Sequence, residues 1–209
     1  MTALPLIRHL STRVTPWLAR TPLSANQITA LSLVSGLSAA WNAAENRALL
    51  AALLLVVTYI LDNCDGEIAR LKKQSSAFGR FFDSFVDWIV HAVLFVGLGI
   101  GASRSLGGDI WTWLGWIAFA GATINYAIGQ YYEFRDGSAD LPPSDSHKPQ
   151  SPGEWVLFAF RELSRADFCF LFLALALFDQ AWLLVPAGAV GAQLYWAAQF
   201  FAAARRFHV

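Results

Sequence analysis

Four aspartates, Asp62, Asp65, Asp83 and Asp87, stand within stretches otherwise apolar enough to lie in a bilayer. A carboxylate there is costly unless something binds it, so these four are the first candidates for function. They belong to a fuller pattern in which Asp62 and Asp65 are followed by Gly66, Ala69 and Arg70, and Gly79 is followed by Asp83 and Asp87. On a helix turning about 100° per residue, spacings of three and four return to one face. Asp62, Asp65 and Ala69 therefore share one stripe, and Gly79, Asp83 and Asp87 share another. At a rise of about 1.5 Å per residue, the two carboxylate pairs fall at equal depth from the turn that joins them. If the two helices are antiparallel neighbours, the pairs meet and gather a charge of about −4, which two divalent cations would offset. An all-oxygen ligand set favours Mg2+ or Mn2+ over Zn2+. Two such ions clamp the oxygens of a phosphoryl displacement. Gly66, Ala69 and Gly79 leave room on the same faces for a phosphate, and Arg70 offers it a two-pronged donor.

Holding these groups in place requires membrane-spanning helices, and the composition supplies them. The 209 residues are 56% hydrophobic, with nine Trp and 16 Phe, and a mean hydropathy of +0.44. The expected fold is an all-α integral membrane protein with one domain over residues 1–209. Segments long enough for a hydrocarbon core of about 30 Å fall near 26–44, 48–70, 79–101, 110–132, 163–179 and 181–203. Pro186 is expected to kink or offset the start of the sixth. Residues 4–20 place Leu6, Leu10, Val14, Trp17 and Leu18 opposite Arg8, Arg13 and Arg20, the pattern of an amphipathic helix on the membrane surface. Residues 133–153, rich in Pro, Ser and Asp, read as a loop. No continuous apolar run opens the chain, so a cleavable signal peptide is not expected. With the N-terminus inside, all of the 15 Lys and Arg except Arg47 and Arg104 fall on the cytoplasmic side, together with the acidic cluster and both termini. Net charge is zero, which argues against nucleic acid as a partner. Cys64 and Cys169, far apart in apolar segments, read as packed free thiols.

The aspartate pattern resembles the signature of the CDP-alcohol phosphotransferases, membrane enzymes that transfer a phosphate-bearing alcohol group from a CDP-linked donor to a second alcohol and release CMP. Residues 21–29, TPLSANQIT, are similar to that family's Pro-Asn-x-x-Thr segment, although Pro22 and Asn26 are not contiguous here. The resemblance implies that Asp62, Asp65, Asp83 and Asp87 hold two Mg2+ or Mn2+ ions, with Asp87 also the catalytic base. It implies that Asn26, Thr29, Asp65, Gly66, Ala69, Arg70 and Gly79 bind the CDP-alcohol nucleotide. Arg161 and Arg165, one turn apart, are then candidates for the phosphate of a phosphorylated polyol acceptor. A homodimer in the lipid bilayer is also implied. The run RHLSTRVTPWLARTPLSANQIT with RELSRADF looks like the branch that makes inositol phosphodiesters from CDP-inositol, while CDP-diacylglycerol is the commoner donor in the family.

Plainer readings apply to other residues. Ser24 and Gln27 read as a capping box, His91 as a hydrogen-bonded core residue, and Trp111, Trp113 and Trp116 as an interfacial belt. Two rival functions are a membrane cation transporter using the acidic cluster and a silent nucleotide-binding scaffold.

Overall fold

A computed structural model describes residues 6–136 and 167–206. The described residues are all-helical: α1 (Leu6–Ala19), α2 (Ala25–Ala44), α3 (Ala48–Leu71), α4 (Ala77–Leu106), α5 (Ile110–Asp136), α6 (Phe168–Leu177), a 3-10 turn (Ala181–Leu183) and α7 (Leu184–Arg206). Local chemistry sets these bounds. Ser24 and Gln27 form the expected capping box, with Ser24 Oγ accepting from Gln27 N and Gln27 Oε1 accepting from Ser24 N. Ser76 caps α4 by accepting from Gly79 N at 3.0 Å. Left-handed residues turn the chain between consecutive helices: Asn46 after α2, Lys73 after α3, Gly107 and Gly108 after α4, Asp179 after α6. Pro186 is the third residue of α7, in the first turn, where its missing N–H has no helical acceptor to lose. The 3-10 turn precedes it, so the expected disturbance appears as an offset start. Residues 163–166 and 137–153, within the expected fifth segment and loop, lie outside the described residues.

The expected antiparallel neighbours do not pack as a pair. Both α3 and α4 pack along α2, while α3 and α4 make no extended contact with each other. The reason lies in the small residues of α2 and α4. A Cβ on Gly97 would collide with the Ala40 carbonyl oxygen, and one on Gly101 with that of Ala43. Only glycine allows the α2 and α4 backbones this approach. α5 packs on α4 and on α7, and α6 packs on α3. Leu55, Val86, Val90, Leu94, Phe172 and Val185 are fully buried between them.

The outer faces are apolar. Leu31, Val34, Leu37 and Trp41 form an exposed stripe on α2, where a helix facing water would carry polar side chains. α3 and α4 are long and apolar enough to cross a bilayer. α1 is rotated from its expected setting: Ile7, Ser11 and Thr15 are buried against α3, while Leu6 and Trp17 are exposed. Polar bonding accounts for this, since Ser11 Oγ donates to Glu67 and the Cys64 thiol to Ser11 O. The Asp167 carboxylate accepts from Leu6 N and Ile7 N at 3.1 Å each, fixing the start of α1 to the start of α6. Trp113 and Trp116 are exposed as a belt requires, but Trp111 packs edge-on against Trp182.

Candidate active site

The cleft left between α3 and α4 is where the acidic stripes converge. Asp62, Asp65 and Asp83 each present a carboxylate oxygen, and these atoms lie within 4.8 Å of one another. Asp65 is buried, whereas Asp62 and Asp83 are partly open to the cleft. Asp87 lies one turn further along α4 and is exposed, outside this close group of three. Among the described residues the salt bridge is Arg104 with Glu45, 3.0 Å apart, and these residues lie at the opposite ends of α4 and α2. Among the described residues, therefore, no ion pair neutralises the acidic cluster.

The helix ends around the cluster are tied together by hydrogen bonds to neutral acceptors. Lys72 Nζ donates to the carbonyls of Thr21 and Leu23, both at 2.8 Å, and Ala25 N donates to Gln74 Oε1 at 3.0 Å. The α3–α4 connection is thereby fixed to the start of α2. That start carries Asn26 and Thr29 into the site. Thr29 is buried, and its hydroxyl reaches both the Ala25 carbonyl and Asp65 Oδ2. Its neighbour is thus a site carboxylate. Asn26 Oδ1 stands 3.2 Å from where a Cβ on Gly79 would lie, so these two positions face each other. Arg70 folds back over Gly66, with its guanidinium 3.5 Å from the position of a Gly66 Cβ. Ala69 is half-buried on the same turn. Arg161 and Arg165 lie outside the described residues.

The sequence pattern did not single out Tyr59 and favoured a hydrogen-bonded core role for His91 over an extension of the site. Tyr59 Oη lies 2.6 Å from His91 Nε2, and His91 Nδ1 lies 2.7 Å from the Asp87 carbonyl. A carbonyl only accepts, so Nδ1 carries the proton and Nε2 accepts from the tyrosine hydroxyl. The signal was present in the spacing. Tyr59 precedes Asp62 by three residues and His91 follows Asp87 by four, which continues both acidic stripes one turn deeper.

The donor set fits a hard divalent cation: three converging carboxylates, with no thiolate or imidazole among them and, among the described residues, no ion pair to displace. Cys64 and Cys169 are buried free thiols. The cleft thus combines oxygen ligands with the small residues Gly66 and Gly79 and the Arg70 guanidinium, the parts needed to hold a phosphorylated group next to bound cations.

Residues 23–148 match the family model of CDP-alcohol phosphatidyltransferase. The bifunctional IPC transferase and DIPP synthase of Rubrobacter xylanophilus is 36% identical over 104 residues, 50% of this chain and 23% of that protein. Archaetidylinositol phosphate synthase of Pyrococcus horikoshii is 30% identical over 97 residues, 46% of this chain and 52% of that protein. Matches to the bifunctional proteins of Rubrobacter xylanophilus and Aquifex aeolicus span only 23% and 28% of their lengths. The crystal structure of Mycobacterium tuberculosis phosphatidylinositol phosphate synthase with CDP-DAG bound superposes with a TM-score of 0.60 at 18% identity, covering 91% of this chain and 92% of that one. The two share a fold.

Proposed function

This chain belongs to the CDP-alcohol phosphatidyltransferase family, and we propose on that premise that it transfers a substituted phosphoryl group from a CDP-alcohol to an acceptor alcohol and releases CMP. The observation that carries this reading is the convergence of Asp62, Asp65 and Asp83, with no ion pair to them among the described residues, next to Gly66, Gly79 and Arg70. These carboxylates hold the divalent ions, Mg2+ or Mn2+. When bound, the ions offset phosphate charge and stabilise the departing CMP. Arg70 and the small residues Gly66, Ala69 and Gly79 receive the nucleotide phosphates, with Asn26 facing Gly79 across the site. Thr29 acts from behind by holding Asp65.

Asp87 is the base. Its exposed carboxylate, one turn from Asp83, takes the proton of the acceptor hydroxyl as that oxygen bonds to the phosphorus carrying the donor alcohol group. The phosphorus–oxygen bond to CMP breaks as the new one forms. The acceptor is a phosphorylated polyol gripped by Arg161 and Arg165, and the donor is CDP-diacylglycerol or CDP-inositol. The archaetidylinositol phosphate synthase and phosphatidylinositol phosphate synthase among the similar proteins support an inositol-containing phospholipid. The setting is a bilayer crossed six times, with the cluster on the cytoplasmic side and a homodimer as the working unit. The cation-transporter alternative finds no support, because the carboxylates gather in one cluster.

The direct test is CMP release by the purified protein with Mg2+, offering CDP-diacylglycerol and CDP-inositol separately, each with glycerol phosphate or inositol phosphate. Release with one donor–acceptor pair establishes reaction class and product together. Binding of CDP-alcohol with no CMP from any pair would overturn the acceptor assigned to Arg161 and Arg165 and favour the nucleotide-binding scaffold.

A further inference from the structure

Beneath the carboxylates, the floor of the cleft is polar where apolar packing would be expected. Tyr59 is 8% exposed, and His91 is half-buried in the middle of a long apolar helix. A buried hydroxyl or imidazole without a partner is costly, and here each satisfies the other. Their rings meet edge-on, centroids 5.6 Å apart, and the imidazole also lies 6.2 Å from the Phe168 ring of α6. Among the described residues, Tyr59 to His91 is the side-chain hydrogen bond that joins α3 to α4. Those two helices make no extended contact of their own and are otherwise bridged by α2 and, through Phe168 beside His91 and Phe95, by α6, yet between them they carry all four aspartates.

We infer that Tyr59 and His91 are positioning residues, a strut that sets the separation of α3 and α4 at which Asp62, Asp65 and Asp83 share a cation. The second bond of His91, from Nδ1 to the Asp87 carbonyl, anchors the strut to the turn of α4 that carries Asp87. The pair lies one helical turn deeper than Asp62 and Asp87. Its effect reaches the site through the spacing of the carboxylates, so it belongs in cation affinity before it belongs in turnover. The inference rests on the reading of the three aspartates as cation ligands.

The test is Mn2+ binding to the purified full chain, followed by the paramagnetic resonance of free Mn2+, with CMP release measured over the same Mn2+ range. Tyr59→Phe keeps the ring and removes only the hydroxyl. It should raise the Mn2+ concentration for half-occupancy about tenfold, the size of loss typical for a group that orients metal ligands. kcat should recover at saturating Mn2+. His91→Leu should match it, and the double variant should also lose about tenfold and not about a hundredfold, because one shared bond is lost once. His91→Gln, which keeps an acceptor for Tyr59, should restore most of the affinity. Unchanged Mn2+ occupancy in Tyr59→Phe, or single losses that multiply in the double variant, would overturn the strut. Wild-type protein that binds Mn2+ but releases no CMP from any CDP-alcohol would remove the proposed activity and leave the strut standing. Wild-type protein that binds no Mn2+ would remove the cation site and the strut with it.

Discussion

Thr29 shows how a residue can matter to a site without facing its ligand. The motif resemblance places it at the nucleotide, but it is 3% exposed and its hydroxyl is engaged by Asp65. Thr29→Val preserves shape and removes the donor, which leaves a buried carboxylate oxygen unpartnered at a cost of about 1–3 kcal/mol. The expected outcome is a Mn2+ affinity lowered by about tenfold or more, read by titration of the purified protein. Asp87 differs because it stands apart from the close group of three. Asp87→Asn should lower CMP release by about 100- to 10,000-fold, the usual worth of a general base, while Mn2+ still binds. Equal loss of Mn2+ binding would make Asp87 a ligand first. Gly79→Ala probes the opposite wall, since its Cβ would stand 3.2 Å from both Asn26 Oδ1 and Ser76 Oγ. Asn26 must then shift. The apparent KM for the CDP-alcohol should rise several-fold with kcat little changed.

At the scale of helices, the sequence spoke clearly about ends and faces and poorly about partners. Ser24, Ser76 and the polar residues at Asn46 and Asp179 announce where helices start and turn, and the expected segments 48–70 and 110–132 agree closely with α3 and α5. Spacing of three and four also placed the aspartates on common stripes. It carries no information about what a stripe faces. The meeting of the carboxylate pairs was expected from α3 and α4 as antiparallel neighbours, whereas the Gly97 and Gly101 face of α4 is taken by α2, which leaves the acidic faces open across a cleft. The same blindness applies to α1, whose inner face is set by Ser11 bonding to Glu67 and accepting from Cys64. Tyr59 and His91 were readable as types, but their pairing depends on two helices meeting at one depth. The α2–α4 contact can be tested directly. Gly101→Val has no room against the Ala43 carbonyl and should cost about 1–3 kcal/mol or more, seen as a lower unfolding midpoint in detergent, with Gly129→Val, which meets nothing within 4 Å, as the control.

For the molecule as a whole, the question is which way it faces. The end of α3 and the start of α4 carry Arg70, Lys72, Lys73 and Arg80 around the acidic cluster, whereas the opposite end has Arg47 and Arg104, and Arg104 is paired with Glu45. Clusters of basic residues near membrane helix ends stay on the cytoplasmic side, so cluster and cytoplasm should coincide. Sidedness can be measured without touching the site. Cys64 and Cys169 are both fully buried, which leaves the native chain nearly inert to a membrane-impermeant maleimide. Ser75 lies exposed in the connection between α3 and α4, and Asp109 lies exposed in the connection between α4 and α5. In intact cells made permeable only at their outer surface, Asp109→Cys should be labelled and Ser75→Cys should not. Inside-out vesicles should reverse the pattern. Labelling of both positions from one side would place the two connections in one compartment, which is incompatible with α4 crossing the bilayer. The reverse pattern would keep the crossing and turn the aspartates away from the cytoplasm, where a soluble phosphorylated acceptor would have to be supplied from outside the cell.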